Sequence, residues 1–310
     1  MKRFFLSLAA LFATFSMISA QDIASATQTA RLANEALTAG NYTEALAGFT
    51  SALAAANSCG EAGESLATVC KGVIPRIVSA IAKQKLQENE YDAAITGFTQ
   101  AVALAKEYGD AETVTSATAL IPQAYMKKGL AQLNASEYAA AEEAYKKALE
   151  LDPTNGVAAL RYGMALEAQG KADAALDSYR KAAENGQQAN AYAQLGKHFL
   201  RSAADYLKSK EYDEAVMDAV KSFEYVANPQ ALQIAGQASQ MSGKLADAVK
   251  YFEQYLNAAP NAANAGQVAY TVGALCQQLK NTAKAKEFFT KAVSDPKYGA
   301  EAKKALDALK

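Results

Sequence analysis

The sequence predicts an all-α fold, a solenoid of stacked antiparallel helix hairpins, and three observations support this. One phrase recurs seven times along the chain, for example as GNYTEALAGFTSAL (40–53) and GKLADAVKYFEQYL (243–256). Within the phrase, apolar residues such as Tyr138, Ala141 and Tyr145 follow helical spacing and share one stripe. The composition, 51% hydrophobic and 20% charged, provides enough apolar surface for a core.

The N-terminus has the layout of a secretory signal peptide. Lys2 and Arg3 precede an apolar run from Phe4 to about Ile18, and small residues follow at Ser19 and Ala20. We expect cleavage after Ala20, which assigns residues 1–20 to the signal peptide. The mature chain is then expected to be exported to a bacterial periplasm or the cell exterior, with no stable membrane insertion.

An array of about seven hairpins is predicted over residues 21–296. The first large residue after each turn, or its replacement, recurs at intervals of 33 to 49 residues, which indicates stacked supersecondary units. These residues are Tyr42, Tyr91, Tyr138, Ala172, Tyr212, Leu245 and Thr282. A second amphipathic stretch precedes each turn, as at 156–169, so each unit is predicted to be helix, short turn, helix.

The first three units are longer than the others. Residues 73–94 align without gaps on residues 120–141, and each segment contains a proline, Pro75 or Pro122. Either the proline lies within a lengthened first helix, or it is the first residue of a helix after a loop. Residues 297–310 are predicted to form a solvated helix that caps the array.

These units resemble tetratricopeptide repeats. The small residue, the Ala after the turn and the aromatic residue of that pattern are found at Gly163, Ala175 and Tyr179, and again at Gly236, Ala248 and Phe252. The resemblance covers nearly all of residues 26–296 and implies a right-handed superhelix. It also implies a non-enzymatic protein, since relatives hold peptide segments in the concave groove lined by the first helices.

We find no residue set suited to catalysis, a cofactor or a metal. His198 is the only histidine, and no phosphate-binding loop or nucleophile motif is present. The formal net charge of −1 and the scattered Lys and Arg residues make a nucleic-acid partner unexpected. Cys59 and Cys70 either form a disulfide or remain as buried thiols, and Cys276 is expected to be a small buried hydrophobe.

The groove positions implied by the resemblance predict where a partner binds. In the sixth and seventh units they fall on glutamine amides and one tyrosine, which can pair with a peptide backbone or with sugar hydroxyls. These residues are Gln230, Gln233, Gln237, Gln240, Gln267, Tyr270 and Gln277. In the second unit, Arg76 and Lys83 are expected to receive an acidic segment.

The leading hypothesis is therefore a protein- or peptide-binding adaptor or assembly scaffold in the cell envelope. The alternative is a glycan- or cell-wall-binding protein that uses the Gln and Tyr residues of the groove.

Overall fold

A computed structural model describes residues 23–309, and all regular structure in that range is helical. The helices in chain order are α1 Ile23–Thr38, α2 Tyr42–Ser58, α3 Glu64–Gln87, α4 Tyr91–Tyr108, α5 Ala111–Asn134, α6 Tyr138–Leu151, α7 Gly156–Ala168, α8 Ala172–Ala182, α9 Gln188–Ser209, α10 Tyr212–Tyr225, α11 Pro229–Met241, α12 Leu245–Ala258, α13 Ala265–Gln278, α14 Thr282–Ala292 and α15 Gly299–Ala308. A 3₁₀ turn (Gly60–Gly63) precedes α3, and a π turn (Ala183–Gln187) precedes α9. The signal-peptide prediction for residues 1–20 falls outside the described residues.

The seven residues that the sequence places after its turns are the first residues of α2, α4, α6, α8, α10, α12 and α14. Each helix in this set follows a turn of about three residues, too short for anything but an antiparallel neighbour. Several first helices begin at a side-chain cap. For example, the Asp110 carboxylate and the Asn155 amide oxygen accept hydrogen bonds from backbone N–H groups three residues later.

Small residues let the two helices of a hairpin approach closely. A Cβ placed on Gly97 of α4 would lie 2.8 Å from the Cβ of Ala82 in α3, and one on Gly236 of α11 would lie 2.6 Å from the Phe252 ring in α12. In six hairpins, the residue of the first helix that lies at the crossing is sixteen positions before a buried aromatic ring of the second helix. These crossing residues are Ala33, Ala82, Gly129, Gly163, Gly236 and Gly273. The buried rings are Phe49, Phe98, Tyr145, Tyr179, Phe252 and Phe289. Small and large residues therefore alternate so that packed hairpins leave little void.

The chain divides into two compact units, one ending at Lys171 and one beginning at Ala172. In the first unit, the first helices α1, α3, α5 and α7 contact one another in chain order, so that they form a continuous layer. The helices α2, α4 and α6 pack against that layer. In the second unit, α9 contacts α11 in the same way, and α12 packs against both α11 and α13. The predicted all-α fold of stacked antiparallel hairpins is thus confirmed.

Both prolines of the long units lie inside helices, Pro75 within α3 and Pro122 within α5. Of the two alternatives from the sequence, the lengthened first helix is therefore the correct one. The ring removes one N–H donor from each helix. The Pro75 ring and its neighbours Ile74 and Ile77 are buried in the core of the first unit, where the missing donor is accommodated.

The last helix, α15, packs on α14 through buried Ala302. Its other side is polar and carries Glu301, Lys303, Lys304 and Asp307. The division into seven hairpins and a capping helix stays a prediction.

Candidate functional site

Four glutamine side chains lie along one side of α11, the first helix of its hairpin. Gln230 and Gln240 are exposed, and Gln233 and Gln237 are half-buried. The opposite side of α11 carries the core residues Leu232, Ala235 and Gly236. Spacings of three, four and three residues keep the four amides in one row.

Helix α13 continues this pattern 37 residues later. Gln267 and Gln277 are exposed, and Tyr270 occupies the position that Gln233 has in α11. The Tyr270 ring stacks on Tyr298, with ring centroids 5.4 Å apart, and also packs against Phe289 at 5.5 Å. Tyr270 is therefore held rigidly, but its ring faces are largely used within the fold.

We call these seven residues, Gln230, Gln233, Gln237, Gln240, Gln267, Tyr270 and Gln277, the amide strip. Among residues 23–309, none of the six Gln amides in it has a side-chain hydrogen bond to another residue. Other glutamines of the chain do form such bonds, for example Gln169 Nε2 with Glu142 Oε2 at 2.8 Å. Each free amide offers two donors and one acceptor to a partner.

Arg76 forms ion pairs within the first unit, and its expected role in receiving an acidic segment stays a prediction. Its Nε donates to Asp110 Oδ2 at 3.1 Å, and its Nη2 donates to Glu112 Oε2 at 3.3 Å. The Arg76 guanidinium and the Thr113 donors lower the pKa of Asp110 to about 2. Arg76 thus joins α3 to the start of α5. Lys83, one turn from the end of α3, is exposed.

The cysteines are free thiols in the structure. Helix α2 ends at Ser58, so Cys59 lies at the turn that follows it. Cys70 lies six residues after the start of α3, about 9 Å along its axis. Cys70 is fully buried at this position, whereas Cys59 is partly exposed, and neither is bridged in the structure. Burial raises the pKa of the Cys70 and Cys276 thiols.

His198 lies on α9, with its ring edge-on to Phe199 at a centroid distance of 5.5 Å. Ser202 Oγ on the same helix donates to Asp218 Oδ2 at 2.7 Å, so that nearby carboxylate is engaged in packing α9 on α10. Within the described part of the chain, no cluster of three or more His, Cys, Asp or Glu side chains has a geometry suited to a metal ion.

One segment of the described chain, Gly60–Gln87, is long and apolar enough to cross a membrane by length and composition. Its apolar residues Cys70, Ile74, Ile77, Val78 and Ala82 are buried in the core of the first unit. In this fold it is a core helix.

The sequence reasoning missed a set of side chains on α5 and α7. In the register fixed by the crossing residues, Met126 and Leu130 occupy the positions in α5 that Gln233 and Gln237 occupy in α11. In α7, Leu160 and Met164 hold the same positions. All four are partly or fully exposed. The sequence does contain the signal for these four residues. It becomes visible when every first helix, and not only those of the last two units, is aligned on its crossing residue.

Among solved structures, the chain is similar to the crystal structure of MamA protein, with 21% identity over 59% of this chain and 96% of that one and a TM-score of 0.37. It is also similar to YrrB, described as a TPR protein with an unusual peptide-binding site (23% identity, 58% and 91% covered, TM-score 0.33). PilF of Pseudomonas aeruginosa is a third such structure (20% identity, 61% and 88% covered, TM-score 0.30). At these TM-scores, the likenesses carry no argument about what this chain binds.

No curated protein matches the sequence. Three models of the tetratricopeptide repeat match, at residues 122–155, 144–177 and 266–294. The first match begins at Pro122, so the first eleven residues of α5 precede the repeat, as expected for a lengthened unit. The third match covers α13 and α14, which form one complete hairpin. Residues 122–177 and 266–294 are therefore tetratricopeptide repeats.

Proposed function

We propose that this chain is a non-enzymatic adaptor or assembly scaffold that binds a protein or peptide segment through the amide strip. The observation that carries the proposal is the row of Gln amides on α11, which continues in register on α13 and makes no hydrogen bond within the described residues. An exposed amide can bond to water, so its lack of an internal hydrogen bond costs the fold little. Because the helix backbone is rigid, a row of such amides is held in place for a partner.

The chemistry of the strip favours an extended peptide segment. Alternating N–H and C=O groups of an extended backbone recur about every 3.3 Å per residue, and amides can both donate to and accept from them. Because the strip itself is uncharged, shape and hydrogen bonds provide the affinity, and salt should affect it little. We also propose that the chain acts after export, in the cell envelope, which the signal-peptide layout of residues 1–20 supports.

Glycan binding is the second candidate, because Tyr270 and Gln267 lie together on α13. Sugar recognition commonly uses an open aromatic face, however, and the Tyr270 ring packs against both Tyr298 and Phe289. This packing favours the peptide over the sugar.

The test is selection from a displayed random peptide library on the mature chain, followed by calorimetric affinities for the enriched peptides. Replacing two amides, Gln233→Ala with Gln237→Ala, should weaken binding about tenfold or more, since each lost hydrogen bond costs about 0.5–1.5 kcal/mol. The matched control, Gln254→Ala with Asn257→Ala, changes two exposed amides on α12, the second helix, and should leave the affinity unchanged.

Equal affinities for the mature chain and the Gln233/Gln237 variant would reject the amide strip as the site. A library that yields no binders, together with glycan-array signals abolished by the same variant, would replace the leading function with the alternative. Export is tested separately by the intact mass of the secreted chain. We expect its first residue to be Gln21, and a retained Met1 would contradict the cleavage site.

A further inference from the structure

The first unit carries a second surface, at the positions of its first helices that correspond to the amide strip. Its side chains are apolar and basic instead of amides. Helices α3, α5 and α7 contact each other in order and form one layer. Their crossing residues are Ala82, Gly129 and Gly163, and a Cβ on Gly129 would lie 2.9 Å from the Tyr145 ring in α6. Met126, three residues before Gly129, is half-buried against the cluster of Ala141, Tyr145 and Ala165, and Leu130 follows Gly129 on α5.

The middle of this surface is apolar. Met126, Leu130, Val157 and Leu160 are half-buried, and Met164 is 36% exposed. In the second unit, the equivalent positions of α11 are glutamines. Two of the five residues are methionines, whose unbranched, polarizable side chains adapt to varied apolar partners. The change from amides to apolar side chains at matched positions predicts a different partner segment.

Cations border this apolar middle. Lys127 in α5 and Arg161 in α7 hold the same position, two residues before the crossing residue, and Lys83 in α3 occupies the position of Leu130 and Met164. Among the described residues, none of the three forms an ion pair. Other cations of the unit do: Lys128 Nζ lies 2.6 Å from Asp92, and Lys171 Nζ lies 2.6 Å from Glu142.

Acidic side chains are few on the same side of these helices. Glu112 at the start of α5 is bound to Arg76, and Glu167 lies at the end of α7. The unneutralised charge of the surface is therefore positive, around an apolar centre. Charge complementarity then selects a partner segment that carries carboxylates beside its apolar side chains.

We propose that Lys83, Met126, Lys127, Leu130, Val157, Leu160, Arg161 and Met164 form a second docking strip, which binds an acidic amphipathic segment of a partner protein. The proposal rests on the proposed function as a peptide-binding scaffold and assigns a partner class to the first unit. Apolar residues of the segment, three and four apart, contact Met126, Leu130, Leu160 and Met164. Its carboxylates pair with Lys83, Lys127 and Arg161.

The test uses a synthetic 18-residue amphipathic peptide with Leu at helical i, i+3, i+4, i+7 spacing and Glu at the flanking positions. Its affinity for the full mature chain is measured by fluorescence anisotropy. Met164→Glu and Lys127→Glu should each weaken binding at least tenfold, and raising the salt concentration should weaken binding to the unchanged chain. Both substituted side chains are exposed, so circular dichroism should show native helix content.

Matched controls carry the same substitutions on second helices. Met217→Glu on α10, where the side chain is 51% exposed, and Lys106→Glu on α4 should leave the affinity unchanged. A peptide with Lys in place of Glu, and a scrambled peptide of the same composition, should not bind.

Several results would overturn the proposal: no binding of the acidic peptide, equal binding by Met164→Glu and Lys127→Glu, or equal binding of the Lys peptide. Loss of binding in the Gln233/Gln237 variant, with none in Met164→Glu, would place the peptide on the amide strip instead and would leave the proposed function intact. Binding of phosphatidylglycerol vesicles, lost in Lys127→Glu while the acidic peptide fails to bind, would assign the surface to lipid.

Discussion

At the residue scale, the hairpin turns require a left-handed backbone, and four of them place a residue other than glycine there. Gly40, Gly170 and Gly243 adopt φ near +80° at the turn, where glycine meets no steric penalty. Asn89, Ser136, Lys210 and Lys280 hold equivalent turns with φ between 56° and 66°. For Ser and Lys this left-handed conformation costs about 1–2 kcal/mol, whereas Asn tolerates it better.

We therefore predict that Lys210→Gly stabilises the chain by about 0.5–1 kcal/mol, after allowing for the greater freedom of glycine in the unfolded state. The matched substitution Gly243→Lys, at the corresponding turn, should destabilise it by a similar amount. Chemical denaturation followed by circular dichroism measures both. A loss of stability in Lys210→Gly would show that the Lys210 side chain contributes more than its backbone conformation costs.

A second residue-scale effect is the ion pair between Arg76 and Asp110. The Asp110 side chain is largely buried, whereas Arg76 is 58% exposed, which reduces the value of the pair through solvent screening. The pair and the Thr113 hydrogen bonds lower the folded-state pKa of Asp110 to about 2, below the ordinary value of 3.8. A lowered carboxyl pKa stabilises the fold above about pH 4, and this stabilisation is lost as the pH falls towards 2.

We predict that Asp110→Asn, which retains a capping side chain, lowers the free energy of unfolding by about 1 kcal/mol at pH 7. The difference between the two proteins should vanish near pH 2. Urea denaturation over pH 2–7 measures it, with Asp177→Asn, at an exposed pair within α8, as the control. A difference that does not change with pH would contradict the ion-pair account.

At the element scale, hairpins are held by close helix crossings. Gly236 and Gly273 lie against the rings of Phe252 and Phe289, where an added Cβ would lie 2.6 and 2.7 Å from the ring atoms. Exposed ion pairs between successive hairpins, such as Lys244 with Asp213 at 2.7 Å, contribute little by comparison. Packing at the crossings therefore determines the geometry that positions the groove residues.

We predict that Gly236→Ala destabilises the chain by about 1–3 kcal/mol, because the Phe252 ring must move. Gly72→Ala in α3, where an added Cβ meets nothing within 4 Å, should instead stabilise it by up to about 1 kcal/mol through helix propensity. Thermal unfolding of both variants tests this. Equal effects of the two substitutions would mean that the α11–α12 crossing tolerates a methyl group.

The helices were largely predictable from the sequence, because each hairpin is local. Tyr42, Tyr91 and Leu245 mark second helices through spacing alone, and the structure begins helices at those residues. The sequence could not decide whether Pro75 and Pro122 lie within a helix or begin one, because proline is found in both places. The structure was needed to decide. Likewise, the Arg76 contact joins residues 34 apart, and no sequence periodicity encodes which carboxylate a surface cation meets.

At the scale of the whole molecule, the two units present different chemistry on their first helices. The first unit carries an apolar surface bordered by cations on α5 and α7, whereas α11 and α13 of the second unit carry uncharged amides. From the sequence, the glutamines of α11 and α13 were expected to bind a partner at the groove positions. The first unit was expected to carry only a basic patch. Within that patch, Arg76 is paired with Asp110 and Glu112, two carboxylates of the next hairpin.

The central claim is that the first helices hold the partner. Photo-crosslinking tests it most directly: peptides selected on the mature chain carry a photoreactive residue, and the crosslinked positions are identified by mass spectrometry. We expect crosslinks on α11 and α13 that disappear in the Gln233/Gln237 variant. Crosslinks confined to the second helices α12 and α14 would contradict it.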